Sequence, residues 1–276
     1  MGRGRKVESL ADFKRALKGK YGVGTEESYT PWLRVQDVPS HGTRSEIQGI
    51  KINRTHHTLS SIESEFFYLT EFSETIIDIR EQFPLFPLNL SIKMAETFGI
   101  KHPVHPKTKQ PIILTTDFLL TQKIDGVTSY HAVAVKHEDA ANKNRVLEKI
   151  DLERIWWESL GIPFHYFTGN ELTRCQSRNI SWVTNAVRYK TELFSQSEIE
   201  IAISLIHEGK YLIKDICNMF VSRIGVAHDN ALNLLHLLIA KKYIEVDISI
   251  LIEESEFIEV LSVTRQVNEV LNGSFN

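Results

Sequence analysis

The segment TTDFLLTQKIDGVTSYHAVAVKHEDA, residues 115–140, constrains the fold more than any other part of the chain. Asp125-Gly126 is a strong turn signal, because both central residues of a two-residue hairpin turn need positive φ. The flanking runs are rich in Phe, Leu, Val and Thr, so the sequence predicts two antiparallel strands. A tight turn also sets the register: Asp117 faces Ala134, and Lys136 lies on the diagonal of the same face. Side chains alternate faces along a strand, so Ala132, Ala134 and Lys136 point with Asp117. That face carries small alanines, one acid and one lysine. It reads as a floor cleared for an approaching group, or as a buried ion pair; the hairpin alone does not choose.

The surrounding sequence predicts an α/β core. VESLADFKRALKGKYG has Leu10, Phe13 and Leu17 at helical spacing before a glycine stop. Strands are expected in SEIQGIKINRTHHTLS, a helix in SSIESEFFYLTEF, and a strand in TIIDIREQF that ends at the PLFPL break. After the hairpin come a long helix, NKNRVLEKIDLERIWWESLG, and an apolar strand, IPFHYFT, read as buried. Strands mixed with helices packed on them are the expected architecture, an α/β core ending near Thr168. From about Ser195 three short helices precede two possible strands, YIEVDI and EFIEVLSV, which is the order of a winged helix. The expected boundaries are a basic segment at 1–24, a catalytic domain at 25–170, a linker at 171–194 and an interaction domain at 195–276.

Charge limits how such a chain could meet DNA. The net charge is −3 over 276 residues, so little global attraction to phosphates is available. Residues 1–20 are the exception, with seven basic side chains, Arg3 among them, against Glu8 and Asp12. They read as a local DNA contact or as a solvated tail. Residues 197–252 carry seven acids and five bases. The exposed face of the third helix offers His228, Asp229, Asn230 and Asn233 rather than arginines, which places protein docking ahead of DNA binding. No apolar run is long enough to span a bilayer, and no secretory signal follows the N-terminus. Two cysteines exclude a disulfide framework or a zinc site and fit a reducing cytoplasm.

A third residue extends the hairpin pair. Glu63 lies in the first turn of the predicted helix after HHTLSS. Ser60-x-x-Glu63 is also a capping box, which needs no function. Yet an acid on a helix, an Asp on one hairpin strand and a Lys on the next resemble the order used by Mg²⁺-dependent nucleases of the restriction-endonuclease fold. Carboxylates hold hard cations, the cation polarises the phosphate, and a lysine steadies developing negative charge. His56 and His57 are adjacent on a strand and point to opposite faces, against joint chelation. At least one of Trp156 and Trp157 is expected in the core, with Glu148 and Glu153 solvated or paired.

The motifs TPWLRVQDVPS, HHTLSSIE, DIREQFPLFP, GIKHPV, TTDFL, AVAVK and LEKIDLERIWWESLGIPF, spread over residues 25–185, give the chain its likeness to one family. It resembles TnsA, the endonuclease subunit of heteromeric cut-and-paste transposons. The resemblance implies a restriction-endonuclease-like mixed-sheet core plus a C-terminal winged-helix-like domain. It implies cutting of the 5′ strands at transposon ends with Mg²⁺, two ions, Mn²⁺ being able to substitute. Glu63, Asp117 and Lys136 become the catalytic residues, and Glu63, Asp117 and the Val135 backbone carbonyl the metal ligands. Arg80, Gln82, Lys101 and His102 become candidate DNA contacts, with Arg80 equally a partner for Asp78 or Glu81. The implied partners are transposon-end DNA, a TnsB-type transposase and a TnsC-type AAA+ ATPase, in a DNA-associated bacterial cytoplasmic setting. One position departs from the family: Ala134 stands where Gln or Glu is expected. That departure supports an alternative, a weakened assembly factor bridging transposase and ATPase. A stand-alone restriction or repair nuclease is a further alternative.

Overall fold

Asp125 and Gly126 both adopt positive φ, at 50° and 79°, and they turn the chain between two strands, β4 (Thr115–Ile124) and β5 (Val127–Val135). Pairing runs from Ile124–Val127 to Phe118–Val133 without a slip, which is the register the turn predicts. The computed structural model describes residues 5–38, 43–139, 143–189 and 194–264. Parts of the expected basic segment (1–4), linker (190–193) and terminal domain (265–276) lie outside the described residues. The chain forms two compact units, residues 1–169 and 170–276.

In the first unit the elements run α1 (Leu10–Lys18), β1 (Ser45–Gln48), β2 (Thr55–Thr58), α2 (Ser61–Phe72), β3 (Ile76–Pro84) and α3 (Leu88–Thr97). The hairpin β4–β5, α4 (Asn144–Ser159) and β6 (Phe164–Phe167) follow. The central sheet has the order β3-β4-β5-β6, antiparallel except for the parallel β5–β6 pair. One face buries Phe118, Leu120, Val133 and Val135 with Phe66 and Phe67 of α2. The other buries Leu119 and Ala132 with Leu152, Trp156 and Trp157 of α4 and Ala95 of α3. The alternation of the hairpin thus sorts directly onto two helical layers. Both tryptophans are core residues.

The PLFPL break leads into α3, a helix the sequence did not signal; it buries only Ser91 and Ala95, too few residues to leave an apolar period. Two expectations need correction here. The IPFHYFT strand is a half-exposed edge, because β6 pairs on one side only. Residues 5–24 are not a free tail. Ser9 caps α1, Phe13 and Ala16 pack with Trp32 and Ile113, and Arg5 forms an ion pair with Asp37 at 2.6 Å.

The second unit comprises α5 (Glu171–Tyr189), α6 (Gln196–Leu205), β7 (Gly209–Leu212), α7 (Ile213–Ile224), α8 (His228–Ala240), β8 (Ile244–Val246), α9 (Ile252–Ser255) and β9 (Phe257–Val263). The three helices and two strands read from the sequence are present as α6, α7, α8, β8 and β9. Strand β7 adds a third strand to the ribbon, whose order is β7-β9-β8. The expected linker is instead largely helix α5. Its buried Asn179 donates to the carbonyls of Ile248 and Ile250 and accepts from the Ile252 N–H. Val183 of this helix packs in the apolar core of its unit with Trp182 against it, and Ile180 is buried. On α8, His228 and Asp229 are exposed as expected.

Candidate active site

The site lies at one end of the central sheet, where β4 begins and β5 ends. Asp117 is buried there, its Oδ2 accepting the Val135 backbone N–H at 2.7 Å and pairing with Lys136 Nζ. Lys136 Nζ also donates to the Val135 carbonyl at 2.9 Å. Acid, carbonyl and lysine therefore converge, as the hairpin register requires.

Glu63 reaches the same place from the first turn of α2. Ser60 caps that helix by accepting from the Glu63 N–H, and the carboxylate folds back onto the Ser60 hydroxyl (2.8 Å) and the Leu59 N–H (2.9 Å). The cap is real, and it does not exhaust the residue. Burial and the nearby Asp117 charge push the Glu63 carboxyl up to about 7, so it shares a field with the hairpin acid. Gln82 of β3 spans the two acids, its Nε2 at 3.4 Å from Glu63 Oε2 and from Asp117 Oδ1.

A further acid belongs to this cluster. Glu153, expected as solvated or paired, is buried on the inward side of α4. Burial and Asp117 push its carboxyl up to about 8, and Thr116 Oγ1 donates to it at 3.4 Å. The same hydroxyl accepts from Trp157 Nε1 at 2.7 Å, which ties α4 to the strand that carries Asp117. The signal was available in the sequence: Glu153 falls one turn before Trp156 and Trp157. Burial works against the Lys136 charge, but Asp117, Glu153 and Glu63 outweigh it and hold its pKa above the usual range.

Behind the site, β2 is fixed to β3 by Glu81. Arg54 grips its carboxylate with two nitrogens, at 2.6 and 2.7 Å, while His56 Nδ1 and the His57 N–H take the remaining positions. Burial opposes this charge, but His56 and Arg54 overcome it and hold Glu81 far below the usual carboxylate range. The histidines anchor the strand that leads into Glu63, and their rings do not converge on a common point.

Two candidate DNA contacts turn out to be internal. Arg80 is buried against Asp78 (3.2 Å) and Thr121 (3.2 Å), the ion-pair alternative. Gln82 is buried between the acids. Lys101 is exposed, and its carbonyl accepts from Arg145 at 2.7 Å; His102 is held by Ser91 (3.1 Å) and the Pro103 carbonyl (2.9 Å). Position 134 also differs from expectation. The register is correct, yet Ala134 is completely buried, because the alanine face lies under the α4 layer.

Among the described residues no group of three or more His, Cys, Asp or Glu side chains is disposed to hold a metal ion. Two acids beside a backbone carbonyl still suit Mg²⁺, which is usually bound through one or two carboxylates and keeps water or substrate oxygens as its other ligands. The donor set fits.

Residues 73–169 of this mixed α/β unit match the TnsA-like endonuclease N-terminal family. Over 225 residues the chain is 36% identical to the transposon Tn7 transposition protein TnsA of Escherichia coli, spanning 80% of this chain and 78% of that protein. The chain belongs to the TnsA family.

Proposed function

We propose that this protein is the endonuclease subunit of a heteromeric transposase, cutting the 5′ strands at transposon ends by Mg²⁺-dependent hydrolysis. The observation that carries the reading is the convergence of Glu63, Asp117 and Lys136 from a helix and two strands onto one point. Glu63, Asp117 and the Val135 carbonyl would hold the cation, which when bound supplies Lewis-acid polarisation of the phosphate. Lys136 carries a persistent positive charge beside Asp117, placed to stabilise an oxyanion. Glu153, with a carboxyl near neutrality, is suited to hold or release a proton at the rear of the site.

Family membership supports transposon-end DNA, a TnsB-type transposase and a TnsC-type ATPase as partners. The three-helix and ribbon order of the second unit supports a winged-helix-like docking module, and its exposed His228 and Asp229 favour protein over DNA. No helix among the described residues is long and apolar enough to cross a membrane. The second reading, an assembly factor without cutting activity, draws on Ala134.

Asp117→Ala in a transposition assay separates the two. Loss of 5′-strand cutting with intact 3′-strand joining should convert simple insertions into cointegrates. Simple insertions at the normal rate would remove the nuclease reading.

A further inference from the structure

Gln82 sits within β3 at φ 48°, a left-handed conformation that is disfavoured for any residue with a Cβ. The strand is not broken there. Glu81 pairs with Phe118 and Phe83 with Thr116, and the Gln82 carbonyl accepts the Trp32 N–H at 3.2 Å. One residue is turned over between two paired neighbours; Gln82 is 3% exposed, and its amide enters the site. Backbone strain held in place by surrounding structure clusters at functional sites.

The amide has a different neighbour at each end. Nε2 donates to Glu63 and Asp117 over long bonds, 3.4 Å each, and Oε1 accepts from Thr115 Oγ1 at 2.9 Å. A hydroxyl both donates and accepts, so Thr115 can bond either end of the amide. Two carboxylates that both take a cation no longer need an N–H between them, whereas a cation attracts a carbonyl oxygen. Ala134 supplies no side-chain oxygen from β5, and Gln82 stands opposite Asp117 on the other flanking strand.

We propose that Gln82 is the neutral side-chain oxygen donor of this metal site. Its amide lies between the two acids, and turning it over on Thr115 would aim the carbonyl oxygen at the point they share. The inference rests on the metal-dependent reading above.

Mn²⁺ titration calorimetry on the full chain tests it, with thermal melts in chelator as the folding control. Gln82→Met removes both polar ends at nearly constant volume and should weaken Mn²⁺ binding about tenfold or more, the usual scale for residues that support a metal site. Gln82→Asn tolerates the left-handed backbone but is one methylene short, and it should also bind more weakly. A folded Gln82→Met protein with wild-type affinity overturns the proposal. If that variant does not fold, wild-type affinity in Gln82→Asn does so. Asp117→Ala separates the two levels. If it loses Mn²⁺ binding while the Gln82 variants keep it, only the role of Gln82 falls. If Asp117→Ala binds as tightly as wild type, the metal reading of the site falls with it.

Discussion

Raising the pH from about 6.5 to about 8.5 should destabilise the metal-free protein, and Glu153→Gln should remove most of that effect. Glu153 is buried beside Asp117, with Lys136 and Lys149 opposing its protonation and Thr116 bonding it. Its carboxyl moves from 4.5 to about 8 on folding, and that of Glu63 from 4.5 to about 7. A carboxyl raised on folding contributes stability that is complete below its unfolded value and lost as pH rises through its folded value. Across this window the loss is about 2 kcal/mol from Glu153 and just under about 1 kcal/mol from Glu63. For a unit of this size the two together lower the melting temperature by roughly 6–12 °C. The window is chosen for its edges. His57, His102, His131 and His236 have pKa values lowered from 6.5; they act in the opposite sense up to about pH 7.5 and offset part of the loss equally in wild type and Glu153→Gln. Cys217 starts to titrate at 9.0 when unfolded. Melts of wild type and Glu153→Gln in chelator, at several pH values, give the comparison. Parallel curves for the two proteins would refute a protonated, buried Glu153.

Two further perturbations probe the scaffold. Arg54→Met should cost about 3–5 kcal/mol in denaturant unfolding, because it strands the Glu81 charge in the interior; a loss below about 1 kcal/mol would mean that Arg54 adds little. Ala134→Glu should lower the melting temperature, since position 134 is sealed and a larger side chain there costs about 1–3 kcal/mol in packing alone. An unchanged melt would show that the alanine face opens to solvent.

The hairpin shows how much of the site the sequence by itself determined. Two residues that accept positive φ, set between alternating strands, specify turn, register and face together, and with them the meeting of Asp117 and Lys136. These are local effects, written in nearest-neighbour chemistry. Glu63 is local too as a helix cap; its nearness to Asp117 was legible only through the family resemblance of the order acid, acid, lysine. What the tertiary structure decided is what covers and completes that pair. Ala134 belongs to an alanine face that reads as an open floor until α4 closes over it. Glu153 looks like a solvent residue until Trp156 and Trp157 turn its helix inward. Gln82 looks like a surface contact in an alternating strand until a left-handed φ, held by pairing on both sides and by Trp32, sends its amide between the acids. The residues of α5 look like a linker until Asn179 finds its partners some seventy positions away. Glu153 apart, whose spacing from Trp156 and Trp157 is a local helical signal, the deciding interaction joins residues distant in sequence, where propensity and periodicity carry no information.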